Sequence, residues 1–271
     1  MAKQFLHGRL LFQEETMKLY VMSCGRIRGR KNIFVPEAPK DEFLLSPIPV
    51  FVILHPRGNI LFDTGPHPSA FQDPIGRWGG LAKAFEPMGD EKSGVLARLE
   101  SIHLKPEEDI RYVVNSHLHF DHAGGNQFFP KSIFLVSRKE MEWARNPESE
   151  GKGYFRGDWD HPLSYREIEG EWDIYGDGSL RIIPLPGHTP GHQGLLVRLR
   201  KQGPMILSGD SVPCQENYRD SIISRNNLDG DQALRTIQKL HEWVEKQKAL
   251  LIHGHDPTLW EKIRKAPDYY E

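Results

Sequence analysis

The sequence predicts an α/β protein that forms one domain of two similar halves, each rich in strands with helices outside. Short apolar segments typical of β-strands alternate with amphipathic helical segments along the chain. Several of the apolar segments end in the same way, with a carboxylate or an imidazole beside a glycine. No internal repeat or interdomain linker is evident, so we expect an N-terminal arm over residues 1–16 and a single domain over residues 17–271.

The composition narrows the possible functions. The chain has 271 residues, of which 38% are hydrophobic, enough for a substantial core. A formal net charge of -2 gives no electrostatic reason to expect binding to nucleic acid or to an anionic membrane. The two cysteines, Cys24 and Cys214, form no Cys-x-x-Cys pattern, and no segment resembles a signal peptide or a membrane span. We therefore expect a cytoplasmic location.

The first half contains four predicted strands and one helix. An apolar stripe predicts a helix over residues 94–103, capped by Ser93. We expect loops over Arg26–Arg30 and over residues 41–49. Residues 66–90 form a long predicted loop with exposed apolar side chains, which is typical of a pocket wall or lid, of a small separate core or of a dimer contact. The predicted strands are Met17–Met22, Val50–Leu54, Asn59–Phe62 and Ile110–Val114.

The hairpin around Pro56-Arg57-Gly58 leads directly into Asp63-Thr64-Gly65. A carboxylate directly after an apolar strand has two interpretations. Asp63 either caps a turn or holds a loop that carries metal ligands. The sequence alone leaves both open.

The second half repeats the alternation of strands and helices. Ser137 and Glu140 match a capping box for a short helix, and Asp229 with Gln232 matches one for a helix to about residue 247. We expect residues 146–165 to be irregular and His161 to be a loop residue. The predicted strands are residues 132–136, 172–175, 180–184, 195–199, 205–207 and 249–253.

The most informative segment is Asn115–Gly125, which follows a predicted buried strand. It contains His117, His119, Asp121 and His122 within six residues. His117 and His119 point the same way if the chain is extended there, because side chains alternate along a strand. A lone histidine beside a strand is usually packed or solvated, but four potential ligands at this spacing indicate a metal site.

Three further candidates follow later apolar segments, each beside a glycine. His188 lies in Pro186–Gln193 with His192, Asp210 follows Ser208-Gly209, and His255 follows Gly254. The candidate ligands are then His117, His119, Asp121, His122, His188, Asp210 and His255, too many for one tetrahedral ion. A plausible division places His117, His119 and His188 on one ion and Asp121, His122 and His255 on the other. Asp210 bridges them.

A pair of divalent ions implies hydrolysis. Two ions roughly 3.5–4 Å apart can share a hydroxide and polarise a carbonyl or phosphoryl oxygen. Metal binding brings the pKa of a bound water to about 7, so the nucleophile exists at neutral pH. We expect two divalent metal ions per chain, with Zn²⁺ first, although these ligands also accept Co²⁺, Mn²⁺ or Fe²⁺. No other cofactor is indicated.

The motifs resemble those of the metallo-β-lactamase superfamily, and most closely those of the N-acyl-homoserine lactonases, which are quorum-quenching enzymes. The resemblance rests on the runs Ser116–Asn126, Pro186–Gln193 and Gly254–Asp256. It implies an αβ/βα sandwich of two mixed β-sheets flanked by helices, with a dinuclear metal site at the sheet edges. It also implies the ligand division above, with His192 structural.

The resemblance also implies a mechanism and a substrate. A hydroxide held between the ions attacks the lactone carbonyl, and Asp121 carries a proton to the leaving alkoxide. One position departs from the pattern, because the lactonases usually have a tyrosine three residues after the bridging aspartate and this chain has Pro213. Tyr218 lies nearby in sequence as a possible substitute. The substrate-binding residues are not predicted.

Several alternatives remain on the same scaffold. Another lactonase, a carboxylesterase or a phosphotriesterase has the same ligand requirements. A β-lactamase is disfavoured because Asp210 stands where some of those enzymes use cysteine, and a nuclease because the charge is near neutral. A protein that binds metal without catalysis is disfavoured because every ligand position is filled. We expect a small lactone or ester as substrate and a monomer or homodimer.

Overall fold

The computed structural model describes residues 16–271, so the predicted arm lies outside the described residues except for Thr16. The described strands are β1 (Lys18–Arg30), β2 (Phe43–Leu54), β3 (Asn59–Phe62), β4 (Phe85–Met88), β5 (Ile110–Val114), β6 (Ile133–Ser137), β7 (Ser164–Ile168), β8 (Trp172–Asp173), β9 (Leu180–Pro184), β10 (Gln193–Leu199), β11 (Gly203–Leu207) and β12 (Leu250–Ile252). The described helices are α1 (Lys31–Phe34), α2 (Pro74–Trp78), α3 (Val95–Glu100), α4 (Pro106–Asp109), α5 (Arg138–Arg145), α6 (Arg156–Trp159), α7 (Gln215–Arg219), α8 (Gly230–Gln247) and α9 (Pro257–Lys262).

The strands form two mixed sheets. The first has seven strands in the order β4-β1-β2-β3-β5-β6-β7, antiparallel from β4 to β3 and parallel from β3 to β7. The second has five strands in the order β12-β11-β10-β9-β8, in which only β11 and β12 are parallel. The parallel pairs matter for the site, because their carboxyl ends lie at one edge of each sheet.

The two sheets pack face to face, and helices cover their outer faces. In β10, Leu195 and Val197 face the core shared by both sheets, whereas Leu196 faces outward and packs with Ile237 and Leu240 of α8. Both faces of the strand are therefore buried, which explains why it reads as a continuous apolar run. This arrangement confirms the predicted sandwich of two mixed sheets flanked by helices.

Two predicted loops in the first half are strands. β1 continues through Arg26–Arg30, and β2 begins at Phe43, so the two form a long antiparallel ladder with a register shift between Ser23 and Arg26. Arginines alternate with Ile27 and Gly29 here and conceal the strand pattern. Arg28 and Arg30 lie over the ring of Phe43, so the exposed face of this ladder is held by cation–π contacts.

Other boundaries also differ from the prediction. The segments predicted to be irregular contain β4, α6 and the start of β7. Ser93 does not cap α3, which begins after Gly94. Ser137 precedes α5 without a side-chain capping bond, so the predicted capping box with Glu140 is wrong. Asp229 caps α8 as predicted, accepting a hydrogen bond from the Gln232 N–H at 2.8 Å.

Over residues 16–271, no helix combines the length and the apolar character that crossing a membrane requires.

Candidate metal centre

The seven candidate ligands meet where the carboxyl ends of four strands converge. Four lie in the loop after β5, and one lies after each of β9, β11 and β12. The ligand atoms form three groups, and within each group they lie within 4.8 Å of one another. The groups are His117, His119 and His188; His117, His122 and Asp210; and Asp121, His122 and His255. The first and third groups, here called the two clusters, share no residue, and the second group joins them through His117, His122 and Asp210.

Asp210 lies between the two clusters. Its Oδ1 is 3.2 Å from His122 Nε2 and 3.1 Å from His255 Nε2, and its Oδ2 is 3.5 Å from His188 Nε2. His188 Nε2 is in turn 3.1 Å from His119 Nδ1. One carboxylate thus has an oxygen directed at each cluster, which is the geometry a bridging ligand needs.

Hydrogen bonds behind the imidazoles fix which nitrogen faces the centre. The Nδ1 of His122 is 2.8 Å from an oxygen of Asp63, and the Nδ1 of His255 is 2.8 Å from the carbonyl oxygen of Pro47. The Nδ1 of His117 is 2.9 Å from the Ser116 hydroxyl. If each Nδ1 donates, each Nε2 presents a lone pair to the centre. This is the usual arrangement behind metal-bound histidines.

Several polar atoms at the centre have no hydrogen-bond partner within residues 16–271. They include the Nε2 atoms of His117 and His122 and the Oδ1 atom of Asp210, all buried. Buried polar atoms are normally satisfied, so a group of such atoms that point at one another calls for a cation. Imidazole and carboxylate are the ligands that suit zinc and similar ions. The residues present therefore fit a pair of divalent metal ions.

Burial and charge act differently on the two clusters. Burial and the neighbouring imidazoles hold the pKa of His117 and of His119 well below the usual value, and burial lowers the pKa of His188 to about 4. These rings are neutral at pH 7, as metal ligands must be. Burial also acts to lower the pKa of His122, but Asp121, Asp210 and Asp63 outweigh it and raise that pKa well above 6.5.

The pKa values of the two carboxyl groups at the centre shift in opposite directions. Burial acts to raise the pKa of Asp210, but His255 and His122 outweigh it and hold that pKa well below 3.8. Burial raises the pKa of Asp121. The negative charge that favours protons on His122 favours a divalent cation equally, so metal binding here is expected to release protons.

Asp63 takes the second of its two predicted roles. It is buried with a positive φ of 59°, and its two oxygens accept hydrogen bonds from the Ser116 N–H at 2.6 Å and the Ser116 hydroxyl at 2.8 Å. With the 2.8 Å contact to His122 Nδ1, it holds the ligand loop rather than capping a turn.

Glu140 is a positioning residue that the sequence did not reveal. Its buried carboxylate accepts hydrogen bonds from Leu118 N–H, Tyr154 Oη, Thr189 Oγ1 and Gly191 N–H at 2.6–3.2 Å. It thereby joins the loop that carries His117 to the loop that carries His188. Glu140 fell in a pattern that we interpreted as a capping box, and this interpretation concealed its role.

The remaining candidates lie outside the clusters. His192 Nε2 accepts a hydrogen bond from the Asp210 N–H at 3.0 Å, so this ring supports Asp210 from behind. His161 belongs to none of the ligand groups. Tyr218 stacks on His241 at 4.0 Å and packs in the core beneath α8, and it does not line the cavity described next. Tyr218 therefore does not replace the tyrosine absent at Pro213.

A cavity of about 280 Å³ opens onto the centre. The predicted lid segment contributes Leu81 and Phe85 to its wall, whereas Trp78 is buried in a small core against Phe120, with ring centroids 4.5 Å apart. That segment is thus both a pocket wall and a small separate core. The cavity is lined by Ile27, Phe34, Ser46, Leu81, Phe85, His119, Phe120, Asp121, Lys152, Gly153, Asp210, Arg225, Asn226, Asn227, Leu228 and His255.

Comparison with known proteins finds similarity along almost the whole chain. Residues 45–259 match the model of the metallo-β-lactamase superfamily. The N-acyl homoserine lactonase AttM of Azorhizobium caulinodans is 35% identical over 94% of this chain and 99% of its own length. The N-acyl homoserine lactonase AiiA of Bacillus thuringiensis subsp. kurstaki is 30% identical over 93% of this chain and 98% of its own.

Comparison with solved structures also finds proteins of similar fold. An N-acyl homoserine lactone hydrolase with the product N-hexanoyl-L-homoserine bound at its catalytic metal centre superimposes with a TM-score of 0.86 and 30% identity, covering 94% of this chain and 99% of that one. The hydrolase AbOPH, at 18% identity and a TM-score of 0.67, shares the fold.

Proposed function

Since the chain belongs to the metallo-β-lactamase superfamily, we propose that it is a metal-dependent lactonase that opens the ring of N-acyl-homoserine lactones. The observation that carries this proposal is the convergence of seven candidate ligands beside a cavity with largely apolar walls, which four of them line. The similarity to N-acyl homoserine lactonases over nearly the full length of both proteins supports the same substrate class. Ring opening would inactivate such lactones as quorum-sensing signals.

The proposed ligand division follows the clusters. His117, His119 and His188 would hold one ion, Asp121, His122 and His255 the other, and Asp210 would contribute an oxygen to each. We propose Zn²⁺ for both positions, because an imidazole-rich set with carboxylates suits it. Such a pair of ions supplies Lewis acidity toward the lactone carbonyl and a hydroxide nucleophile at neutral pH.

The protein's own groups would orient the substrate and move a proton. The apolar wall, which includes Phe34, Leu81 and Leu228, would hold the acyl chain and exclude water. Asp121 lines the cavity, and its Oδ2 is 3.4 Å from His255 Nε2. Burial raises the pKa of Asp121, which suits a carboxyl group that carries a proton to the leaving hydroxyl oxygen.

Hydrolysis of a short-chain and a long-chain N-acyl-homoserine lactone, followed by proton release, tests the proposal. We expect rapid turnover by the metal-loaded protein and a loss of at least about 100-fold in the Asp210→Asn variant, because that change removes charge shared by both ions. Asp109→Asn is the matched control, since Asp109 does not line the cavity and accepts a hydrogen bond from the Lys105 N–H at 2.7 Å. Metal-loaded protein that leaves both lactones intact but cleaves an aryl ester or a phosphotriester would refute the proposal.

A further inference from the structure

Ser46 is a buried hydroxyl in the cavity wall that has no evident structural role. Its side chain is 2% exposed, and its Oγ has no hydrogen-bond partner within residues 16–271. Leaving a buried hydroxyl unpaired costs free energy, so an unpaired hydroxyl at this position calls for an explanation. Ser46 lines the same cavity as Asp121 and Asp210.

The position of Ser46 is fixed close to the metal centre. It lies in β2 opposite Ile27 of β1, and Ile27 lines the same cavity. The next residue, Pro47, has its carbonyl oxygen 2.8 Å from His255 Nδ1. Ser46 is therefore held on rigid sheet, beside a candidate ligand, rather than on a loop.

The other side chains of the cavity wall that could donate a hydrogen bond are less suited than Ser46 to contact a substrate. Arg225 is engaged with the carbonyl oxygens of Asn32 and Pro36 at 3.1 Å each. Lys152 is exposed. Ile27, which lies opposite Ser46, belongs to one apolar cluster with Phe120 and Phe85. Asn226 and Asn227 also line the cavity but are only partly buried, and Asn227 Nδ2 donates to the Ser224 carbonyl oxygen at 2.9 Å. Ser46, in contrast, is a buried donor without a partner among the described residues.

We propose that Ser46 determines specificity for amide-bearing lactones, donating a hydrogen bond from its Oγ to the amide carbonyl oxygen of the substrate. The inference rests on the proposed lactonase function. In an N-acyl-homoserine lactone the ring oxygens are at the reacting centre, and the amide oxygen, a few bonds away, is the remaining acceptor. A donor one residue from Pro47 is placed for that oxygen. Ser46 would thus supply a substrate hydrogen bond in a chain that has Pro213 in place of the expected tyrosine.

The proposal gives a defined pattern of selectivity. An amide substrate pairs the Ser46 hydroxyl, whereas a lactone without the amide leaves it unpaired in the complex. The Ser46→Ala change should therefore reduce kcat/KM for the amide substrate by roughly 3- to 10-fold, the effect of losing one hydrogen bond. It should leave kcat/KM for the lactone without the amide unchanged or slightly higher.

The experiment compares N-hexanoyl-homoserine lactone with an α-alkyl-γ-butyrolactone of the same chain length, using Ser46→Ala and Ser46→Cys with metal content measured for each protein. Ser132→Ala is the matched control, because Ser132 is buried and its hydroxyl donates to the Ile110 carbonyl oxygen at 2.7 Å, away from the cavity. We expect both Ser46 variants to lose the preference for the amide without a decrease in Tm. Ser132→Ala should lower Tm and keep the preference.

The contrary outcomes separate the two proposals. Equal losses on both lactones, or no loss on either, with wild-type turnover intact, would overturn the assignment of Ser46 alone. A decrease in Tm for both Ser46 variants with the amide preference retained would mean that the hydroxyl is structural, and would overturn it too. A metal-loaded wild-type protein inactive on both lactones would overturn the lactonase function and this inference with it.

Discussion

Asp63 shows how one side chain behind the ligands can organise a metal centre. It contacts no candidate metal position itself, yet it holds both the ring of His122 and the backbone of Ser116. Its carboxylate gives the Nδ1–H of His122 a charged acceptor, which makes the opposite nitrogen a better ligand. The loop geometry therefore depends on a residue that directly follows β3, the strand paired with β5.

We expect Asp63→Asn to reduce metal affinity by about 10- to 100-fold, because the charged acceptor behind His122 is lost. Asparagine tolerates the left-handed backbone at this position, where φ is 59°, so the change tests charge rather than strain. Competition with a chromophoric chelator measures the affinity. Asp173→Asn is the control, since Asp173 accepts turn hydrogen bonds from Gly176 and Gly178. Unchanged affinity in Asp63→Asn would contradict the role assigned to Asp63.

Asp158 gives a residue-level source of pH dependence. Its side chain is fully buried beside the Arg77 guanidinium, and burial outweighs that positive charge and raises its pKa from the ordinary value of 3.8 to about 7. Between these two values the folded protein keeps a proton that the unfolded chain has lost. The contribution of this group to the free energy of unfolding therefore falls as pH rises from about 4 to about 7.

Asp158→Asn should remove that contribution. We measure the free energy of unfolding of both proteins by chemical denaturation. The value for the variant minus the value for wild type should increase by about one to a few kcal/mol as the pH rises from 4.5 to 7.5. Asparagine stays neutral across this interval, so it has no proton to lose. A difference between variant and wild type that stays constant with pH would show that Asp158 does not titrate there.

The turn over residues 151–154 supports the ligand loop from outside. Gly153 has a φ of 95°, and its carbonyl oxygen accepts a hydrogen bond from the Phe120 N–H at 3.0 Å. A Cβ atom on Gly153 would lie 2.6 Å from Cδ2 of His119. The absence of a side chain at Gly153 thus lets the turn pack directly on a candidate ligand.

Gly153→Ala is expected to displace the His119 ring and to lower both metal content and kcat/KM by about tenfold or more, since a displacement near 1 Å can cost about 100-fold in rate. Gly151→Ala is a matched control. Gly151 also has a positive φ, of 77°, but a Cβ atom there would meet nothing within 4 Å. Both variants should lose about 1–2 kcal/mol of stability from backbone strain. Equal metal content in the two would contradict the proposed contact.

The two sheets of the molecule meet at the metal centre. Four candidate ligands come from the loop that follows β5 of the seven-stranded sheet, and His188, Asp210 and His255 follow strands of the five-stranded sheet. The sheets also share one apolar core. We therefore propose that residues 17–271 form a single domain whose two halves are linked by packing and by metal.

Removal of metal by a chelator should lower Tm by several degrees, because ions that bind the folded state alone stabilise it by mass action. Calorimetry before and after chelation measures the change, and readdition of Zn²⁺ should restore it. The Asp210→Asn variant should respond less to chelation than wild type. A Tm that chelation leaves unchanged in wild type would refute the link between metal and stability.

Local sequence patterns predicted the strands and the candidate ligands, and the resemblance to a known family implied the sandwich. β3, β5 and β9 have the predicted bounds because each is a short, mainly apolar run. The strand around Ile27 was missed because arginines alternate with its apolar residues. Glu140 and Ser46 were missed for another reason. Their roles depend on what lies opposite them in three dimensions, and neither residue has a neighbour in sequence that indicates it.

The cavity wall and the metal ligands come largely from different segments of the chain. Ile27, Phe34 and Phe85 belong to β1, α1 and β4, and Leu228 follows a segment anchored by Arg225, whereas the ligands occupy the loops after β5, β9, β11 and β12. The size and polarity of the wall are consequently open to change while the reacting centre stays as it is. A small combinatorial library at these four positions would therefore explore new acyl groups from a starting point that already carries out the chemistry.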